Sequence, residues 1–307
     1  MAASSAESIA EVYAKRIFLA PRVVIPRAYV RLVLSSAVLA ARPEFTVAAV
    51  TCREDHRGWS AAESHDRFRV VIVRRGRFRR QTGGVRADLD PTVAYLGVPG
   101  EVERFAHPAG GDICTSVTVT PALWRSMAGD RQPVRPIVYV DGAVDLAHRR
   151  VLVAARTGDV DFALAERLLT LIGHAITQAV AKPVPSARSG DRPLVGAARE
   201  AIGTGHPASG ALLPLAALLG VSPYRLSRAF TAELGVSLTR YRNRVRVARA
   251  LDRLEAGETR LAMLAADLGF ADQAHLCRTV RAHVGHTPTA LRRLLTRTVE
   301  PGVASHP

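Results

Sequence analysis

Residues 212–230 read LLPLAALLGVSPYRLSRAF. Leu215, Ala216 and Leu219 fall on one helical face, Gly220 suits a left-handed helix end, and Ser222 with Pro223 opens a second helix. Leu226 and Phe230 then form its buried i, i+4 pair. Residues 261–280, LAMLAADLGFADQAHLCRTV, repeat the pattern. Leu264, Ala265 and Leu268 precede Gly269 and Phe270, and Asp272 caps the helix that buries Leu276 and Val280. A small Ala four residues before each Gly lets two helices cross closely, and the short turn leaves the second helix protruding. The pattern predicts two helix-turn-helix units.

Between the units, Ser237 is a second capping serine after Gly235, and Tyr241, Val245, Ala248, Leu251 and Leu254 share one face of a helix that ends at Gly257. Its opposite face carries Arg240, Arg242, Arg244, Arg246 and Arg249, a solvated charged face or a set of phosphate contacts. The whole chain has 307 residues, with 42 Lys plus Arg against 27 Asp plus Glu, a formal charge of +15. Nearly all of that cation is arginine, because Lys15 and Lys182 are the only lysines. A polyanionic partner suits such a balance. At 48% hydrophobic and 22% charged residues the composition is that of a globular protein, which excludes long disorder and collagen-like or coiled-coil extremes. Three cysteines make no disulfide framework, no basic and apolar signal segment opens the chain, and the apolar stretch 28–40 is broken by Arg31. A reducing cytoplasm with no membrane partner is the expected setting.

Upstream, residues 182–193, KPVPSARSGDRP, have the composition of an exposed linker. Before them lie short β-branched runs: FTVAAVTC (45–52), RFRVVIVRRGRFRR (67–80), TVAYLGVPG (92–100), RFAH (104–107) and CTSVTVT (114–120). Their spacing predicts an all-β barrel or sandwich, followed by helices over 144–156 and 161–181. In the second of these, Phe162, Ala165, Leu168, Leu169, Ile172, Ala175, Ile176 and Ala179 form an apolar face, to pack on the barrel or to pair with its twin in a homodimer. The expected organisation is an extension over 1–44, a β-rich part over 45–181, the linker, an all-helical part over 194–293 and a tail over 294–307.

Four segments in this order, GVSPYRLSRAF (220–230), GVSLTRYRNRVRVARAL (235–251), LAADLGFADQAHLCRTV (264–280) and VGHTPTALRR (284–293), resemble the DNA-binding domain of AraC/XylS-type bacterial transcription regulators. Arg260 stands where a capping Ser is common in that family, and Val280 and Leu291 stand in place of aromatics. The resemblance spans 194–293. It implies an α+β protein: an N-terminal cupin-like β-barrel with flanking helices, then an all-α double helix-turn-helix domain on a central helix. HDRFRVVIVRRG (65–76) and PGEVERFAHP (99–108) resemble strands of the family's cupin-like effector domain. The implied partners are double-stranded promoter DNA, RNA polymerase, a second copy of the chain and an unknown small-molecule effector.

Helical geometry turns Pro223, Tyr224, Arg225, Ser227 and Arg228 outward in the first unit, and Gln273, Ala274, Cys277, Arg278 and Arg281 in the second. A connecting helix of roughly 28 Å can hold both protruding helices in successive major grooves about 34 Å apart. Arg pairs bidentately with guanine and Gln with adenine, so Arg228, Gln273 and Arg278 are the expected base readers; contact with phosphate or solvent alone is the other reading.

In the β-rich part, Cys52 and His56 in one strand region and His107 and Cys114 in another supply two thiolates and two imidazoles, the ligand set of a tetrahedral zinc site. Neither spacing is that of a zinc finger. Small core cysteines with loop histidines, or a redox pair of Cys52 and Cys114, are the alternatives. Trp59, Glu63 and His65 either line the mouth of the barrel as a ligand pocket or pack its rim. A non-enzyme is expected. The alternatives are a metal-dependent cupin enzyme, for which no carboxylate–histidine triad stands at recognisable spacing, and an Ada-type alkylation-response protein, which needs four clustered cysteines. A Gly-rich phosphate loop, a GxSxG elbow and an HExxH helix are all missing from the sequence.

Overall fold

The computed structural model describes residues 34–53, 57–129, 131, 133, 136–180 and 191–296. Residues 1–33 of the expected 1–44 extension, 182–190 of the linker and 297–307 of the tail lie outside these residues.

Among the described residues, nine strands form two antiparallel sheets. They are β1 (Leu34–Arg42), β2 (Phe45–Cys52), β3 (Phe68–Arg75), β4 (Phe78–Thr82), β5 (Val85–Leu89), β6 (Val93–Gly97), β7 (Glu103–Ala106), β8 (Asp112–Val119) and β9 (Ile137–Tyr139). One sheet has the order β1-β2-β8-β3-β6-β9 and the other β5-β4-β7. Every ladder is antiparallel, and among the described residues the ladders do not join the two sheets into a closed barrel. The first strand begins at Leu34, inside the segment read as an extension, because 34–42 pairs along the whole of β2.

The period of two along β3 sorts its residues onto two faces. Phe68, Val70 and Ile72 join a core with α1 (Pro121–Ala128), α2 (Gly142–Thr157) and α3 (Ala165–Ala179). Within it the Phe68 and Trp124 rings stack 4.3 Å apart. Leu168, Leu171, Ile172, Ala175 and Ile176 of α3 are buried in that core. The apolar face of this helix therefore packs on its own sheet, and Phe162 and Leu169 are left exposed. Val71, Val73 and Tyr95 turn the other way and meet Phe78 and Leu89 of the smaller sheet.

Two arginines and a glutamate form a buried network on the smaller sheet and its neighbour β3. Arg80, 1% exposed, donates through Nε to Glu103 at 2.6 Å and through Nη2 to Glu101 at 2.9 Å, with its guanidinium over the Tyr95 ring. Arg69 binds the second oxygen of Glu103. Pairing on both oxygens is what lets a carboxylate stay buried as an anion.

The helical part comprises α4 (Asp191–Thr204), α5 (Leu212–Leu218), α6 (Pro223–Leu234), α7 (Leu238–Glu255), α8 (Leu261–Asp267), α9 (Gln273–Val284) and α10 (Pro288–Thr296). Helix α4 takes in residues 191–193 of the segment read as linker. Ser222 accepts a hydrogen bond from the Arg225 amide and Asp272 from that of His275, the caps expected from sequence. Gly220 and Gly269 have φ of +65° and +70°, the left-handed conformation that lets each turn be so short. The Arg260 side chain supplies no cap to α8. Glu258 accepts from the Thr259 and Arg260 amides instead. The first unit closes over Leu215, Leu226, Phe230 and Tyr241, the second over Leu264, Leu276, Val280 and Leu291, into which Leu146 of α2 also packs.

Candidate nucleic-acid interface and the seam behind it

Helices α6 and α9 are twelve residues each and follow seven-residue helices α5 and α8. With Leu226 and Phe230 buried, Tyr224, Arg225 and Arg228 are exposed, and Pro223 and Ser227 are half-buried. With Leu276 and Val280 buried, Gln273, Ala274, Arg278 and Arg281 are exposed and Cys277 is half-buried. The Arg228 guanidinium lies over the Tyr224 ring, 5.6 Å from its centroid, and donates to the Tyr224 hydroxyl at 3.3 Å. That contact restrains the guanidinium on the outer face of α6.

Helix α7 joins the two units, and its arginines do not act as one face. Arg240 is exposed, while Arg242, Arg246 and Arg249 are half-buried. Burial, with the charges of Arg242 and Arg249 adding to it, lowers the pKa of the Arg246 guanidinium. An uncompensated cationic cluster of this kind favours a phosphate beside it. Arg244 differs: it is 2% exposed and turned inward. Its Nε donates to the Val140 carbonyl at 2.7 Å and its Nη2 lies 3.0 Å from Asp145 of α2. Reading Arg244 with the phosphate-facing arginines is thus corrected by a buried partner 99 residues away in the chain, beyond the reach of helical periodicity.

Arg244 belongs to a seam between the sheets and the helical part. Asp145 also pairs with Arg149, which reaches Asp252 at 2.7 Å and Glu255 at 2.9 Å on α7. Burial pushes the Asp145 carboxyl up, and the Arg244 and Arg149 charges outweigh it, so the carboxyl titrates below its ordinary value. Further along, Arg199 of α4 lies 2.6 Å from Asp90, and the Thr92 and Tyr241 hydroxyls are hydrogen-bonded at 3.1 Å. Gly142 abuts α9 so closely that a Cβ there would fall 2.2 Å from the His283 carbonyl oxygen. A cleft of about 1540 Å³ opens along the seam, its lining including Arg74, Arg75, Arg199, Arg244 and Arg249. Nη1 of Arg244 is buried with no hydrogen-bond partner among the described residues.

His148 sits beside this network, its Nε2 2.8 Å from the Thr115 hydroxyl. Burial lowers its pKa to about 4; the Arg149 and Arg74 charges work in the same direction and Asp145 opposes them. Between that value and the ordinary 6.5 the unfolded chain binds more protons than the folded one. Stability is therefore full above pH 6.5 and falls as pH drops toward 4. Urea unfolding at pH 7 and pH 5 is expected to differ by up to about 2 kcal/mol from this group, and His148→Gln should flatten that dependence. An unchanged slope in the variant would show that His148 is not its source.

Trp59, Glu63 and His65 do not line the seam cleft. They run along the smaller sheet: the Arg86 guanidinium covers the Trp59 ring, Glu63 bridges the backbone of Glu103, and His65 Nε2 is 3.9 Å from the Glu103 carboxylate. Of the four residues named for a metal, Cys52, His107 and Cys114 come together, and His56 lies outside the described residues. A fourth group joins them that the sequence reading missed. Asp112 accepts from the Cys114 thiol at 3.0 Å, and its other oxygen is 2.5 Å from His107 Nδ1. One ligand atom each from Cys52, His107 and Asp112 lies within 4.8 Å of the others. The signal was available: Asp112 and Cys114 are two apart on one strand, so they share a face.

Two helix-turn-helix units on a shared helix, each with an exposed second helix bearing arginines, define a DNA-binding transcription regulator. Residues 215–294 match the helix-turn-helix domain family. No curated protein sequence matches the chain. Among solved structures, the C-terminal domain of AraT, a response regulator from Geobacillus stearothermophilus, is similar at 29% identity over 37% of this chain and 93% of its own, with a TM-score of 0.32. Unsaturated fatty acid-bound ToxT from Vibrio cholerae is similar at 10% identity over 84% and 98% of the two chains, TM-score 0.33. A cupin superfamily protein from Desulfitobacterium hafniense is similar at 13% identity over 28% and 77%, TM-score 0.26. Among the described residues no helix is long and apolar enough to cross a membrane.

Proposed function

We propose that this regulator reads base edges through Arg228 of α6 and through Gln273 and Arg278 of α9, and that its sheet-bearing part senses a small anionic molecule in the seam cleft. The observation that carries the sensing is the attachment of α7, the helix that orients both reading helices, to α2 through Asp145, Arg149 and Arg244. A ligand that binds the closed and the loosened seam with unequal affinity would change the setting of both units together. Anionic chemistry is favoured by the arginines along the cleft and by the unpartnered Nη1 of Arg244. A homodimer through the exposed Phe162 and Leu169, and contact with RNA polymerase on the promoter, complete the reading.

Titration of the full chain with a panel of small mono- and dicarboxylates and phosphates tests the sensing. At 100-fold excess over its Kd a true effector should raise Tm by about 5 °C and shift the affinity for promoter DNA. Arg74→Ala with Arg75→Ala should remove both responses. A panel in which every anion leaves Tm and DNA affinity unmoved would sink the anionic assignment.

A further inference from the structure

The cluster at one end of the two sheets carries more than packing. Cys52 ends β2, Asp112 begins β8 directly opposite it, and Cys114 is two residues further along β8, so all three share the face that looks toward the smaller sheet. His107 follows β7, a strand of that smaller sheet. Its ring stacks on Phe78, 5.7 Å between centroids, which fixes the imidazole over the cluster. All four residues are buried. Gly111 brings the chain so close that a Cβ there would meet the Cys52 carbonyl oxygen at 2.4 Å, which locks the start of β8 against the end of β2.

We propose that Cys52, His107, Asp112 and Cys114 form a zinc site that rivets the two sheets together. Tetrahedral zinc with bonds of about 2.0–2.3 Å holds its ligand atoms roughly 3.3–3.8 Å apart, and three of these groups already lie within 4.8 Å of one another. Cys114 completes the set by turning its thiol from Asp112 Oδ1, 3.0 Å away, to the ion. Two sulfurs, an imidazole and a carboxylate suit zinc in preference to magnesium or calcium, which take oxygen ligands, and the hard carboxylate disfavours Cu(I). On binding, each thiol loses its proton to solvent and becomes a thiolate ligand; nothing is oxidised or reduced. A buried cluster of two thiols against a carboxylate is a poor apolar core, and an ion of charge +2 offsets most of the negative charge of the two thiolates and the carboxylate that bind it. The strand register also argues against the redox pair: Cys52 lies opposite Asp112 and diagonal to Cys114, and diagonal Cα separations of about 7–8 Å exceed the usual disulfide span.

The test needs no DNA. Tag-free full chain is stripped with EDTA under reducing conditions, exposed to excess zinc, desalted and assayed for metal. One equivalent is expected in the parent and in Cys277→Ser, which removes the surface thiol. Cys52→Ala with Cys114→Ala should bind at least 100-fold more weakly in competition with a chromophoric chelator, and Asp112→Asn, of nearly equal volume, about 10-fold or more. Cobalt(II) loading of the parent supplies a readout independent of variant folding: tetrahedral d–d bands together with sulfur-to-cobalt charge transfer are expected. A parent that keeps less than about a tenth of an equivalent, a cobalt spectrum without sulfur bands, or full zinc in the double variant would each overturn the site.

Discussion

Arg244→Ala is expected to destabilise the full chain by about 3–5 kcal/mol, the cost of breaking a buried ion pair on one side. The guanidinium is enclosed, and its removal strands two groups at once. The Val140 carbonyl loses its donor at 2.7 Å, and the Asp145 carboxylate is left to Arg149 alone. Both residues are nearly enclosed, Val140 1% and Asp145 6% exposed, so neither regains full hydration in the folded chain. Urea unfolding of parent and variant measures the loss. A companion makes the cause specific: Arg244→Met with Asp145→Leu removes both charges and should be less damaging than Arg244→Ala. If Arg244→Ala costs under 1 kcal/mol, the seam is wet, and the coupling of the sheets to α7 has to be sought elsewhere. The cleft would then have no route to the reading helices.

Arg228→Ala combined with Arg278→Ala is expected to lower affinity for the specific site by about 10²-fold or more, with a much smaller loss on scrambled DNA. Each bidentate arginine–guanine contact is worth ~1–3 kcal/mol of discrimination. The two residues sit on different helices in different units, without a shared partner, so their effects should add. Selection from random duplexes, followed by binding measurements at fixed salt, reads both losses. Equal losses on specific and scrambled DNA would reassign both arginines to phosphates, with a salt slope reduced by about one for each phosphate no longer neutralised. Arg228 has a further signature. Tyr224→Phe keeps the ring beneath the guanidinium but removes the hydroxyl it donates to, so its effect should fall well below that of Arg228→Ala.

The helix-turn-helix units were legible because their determinants are local. Caps at Ser222 and Asp272, left-handed glycines at 220 and 269 and buried i, i+4 pairs all act within one turn or one helix. The cap and the buried pair recur 50 residues on in the second unit, and the turn glycine 49 residues on. Strand positions were legible for the same reason, since β-branched runs bounded by Gly, Pro and Asp mark them locally. Pairing partners are not local, and there the sequence was silent. Nothing in the periodicity of α7 separates Arg244, which is enclosed, from Arg240, which is exposed; the difference is made by Asp145, brought up by the packing of α2. Leu168 of α3 was one of two leucines read as a dimer contact or a core residue, and it is wholly buried, whereas its neighbour Leu169 is exposed. Asp112 escapes a search confined to cysteine and histidine, although its offset of two from Cys114 places it on the same face.

Gly142 and Leu146 have a consequence for how such a chain can be recombined. The first meets the backbone of α9 with no room for a side chain, and the second fills part of the core of the second helix-turn-helix unit. Both are encoded before the connecting segment 181–190, in what looks by sequence like the other module. A chimera joined within that segment would pair a foreign C-terminal half with a helix shaped for this one, leaving Leu146 without a socket and Gly142 beside an unmatched turn. A join upstream of residue 142 fails for the opposite reason, because Val144, Ala147 and Val151 of the same helix pack in the sheet core. Helix α2 is common property of both halves, so they are inherited together.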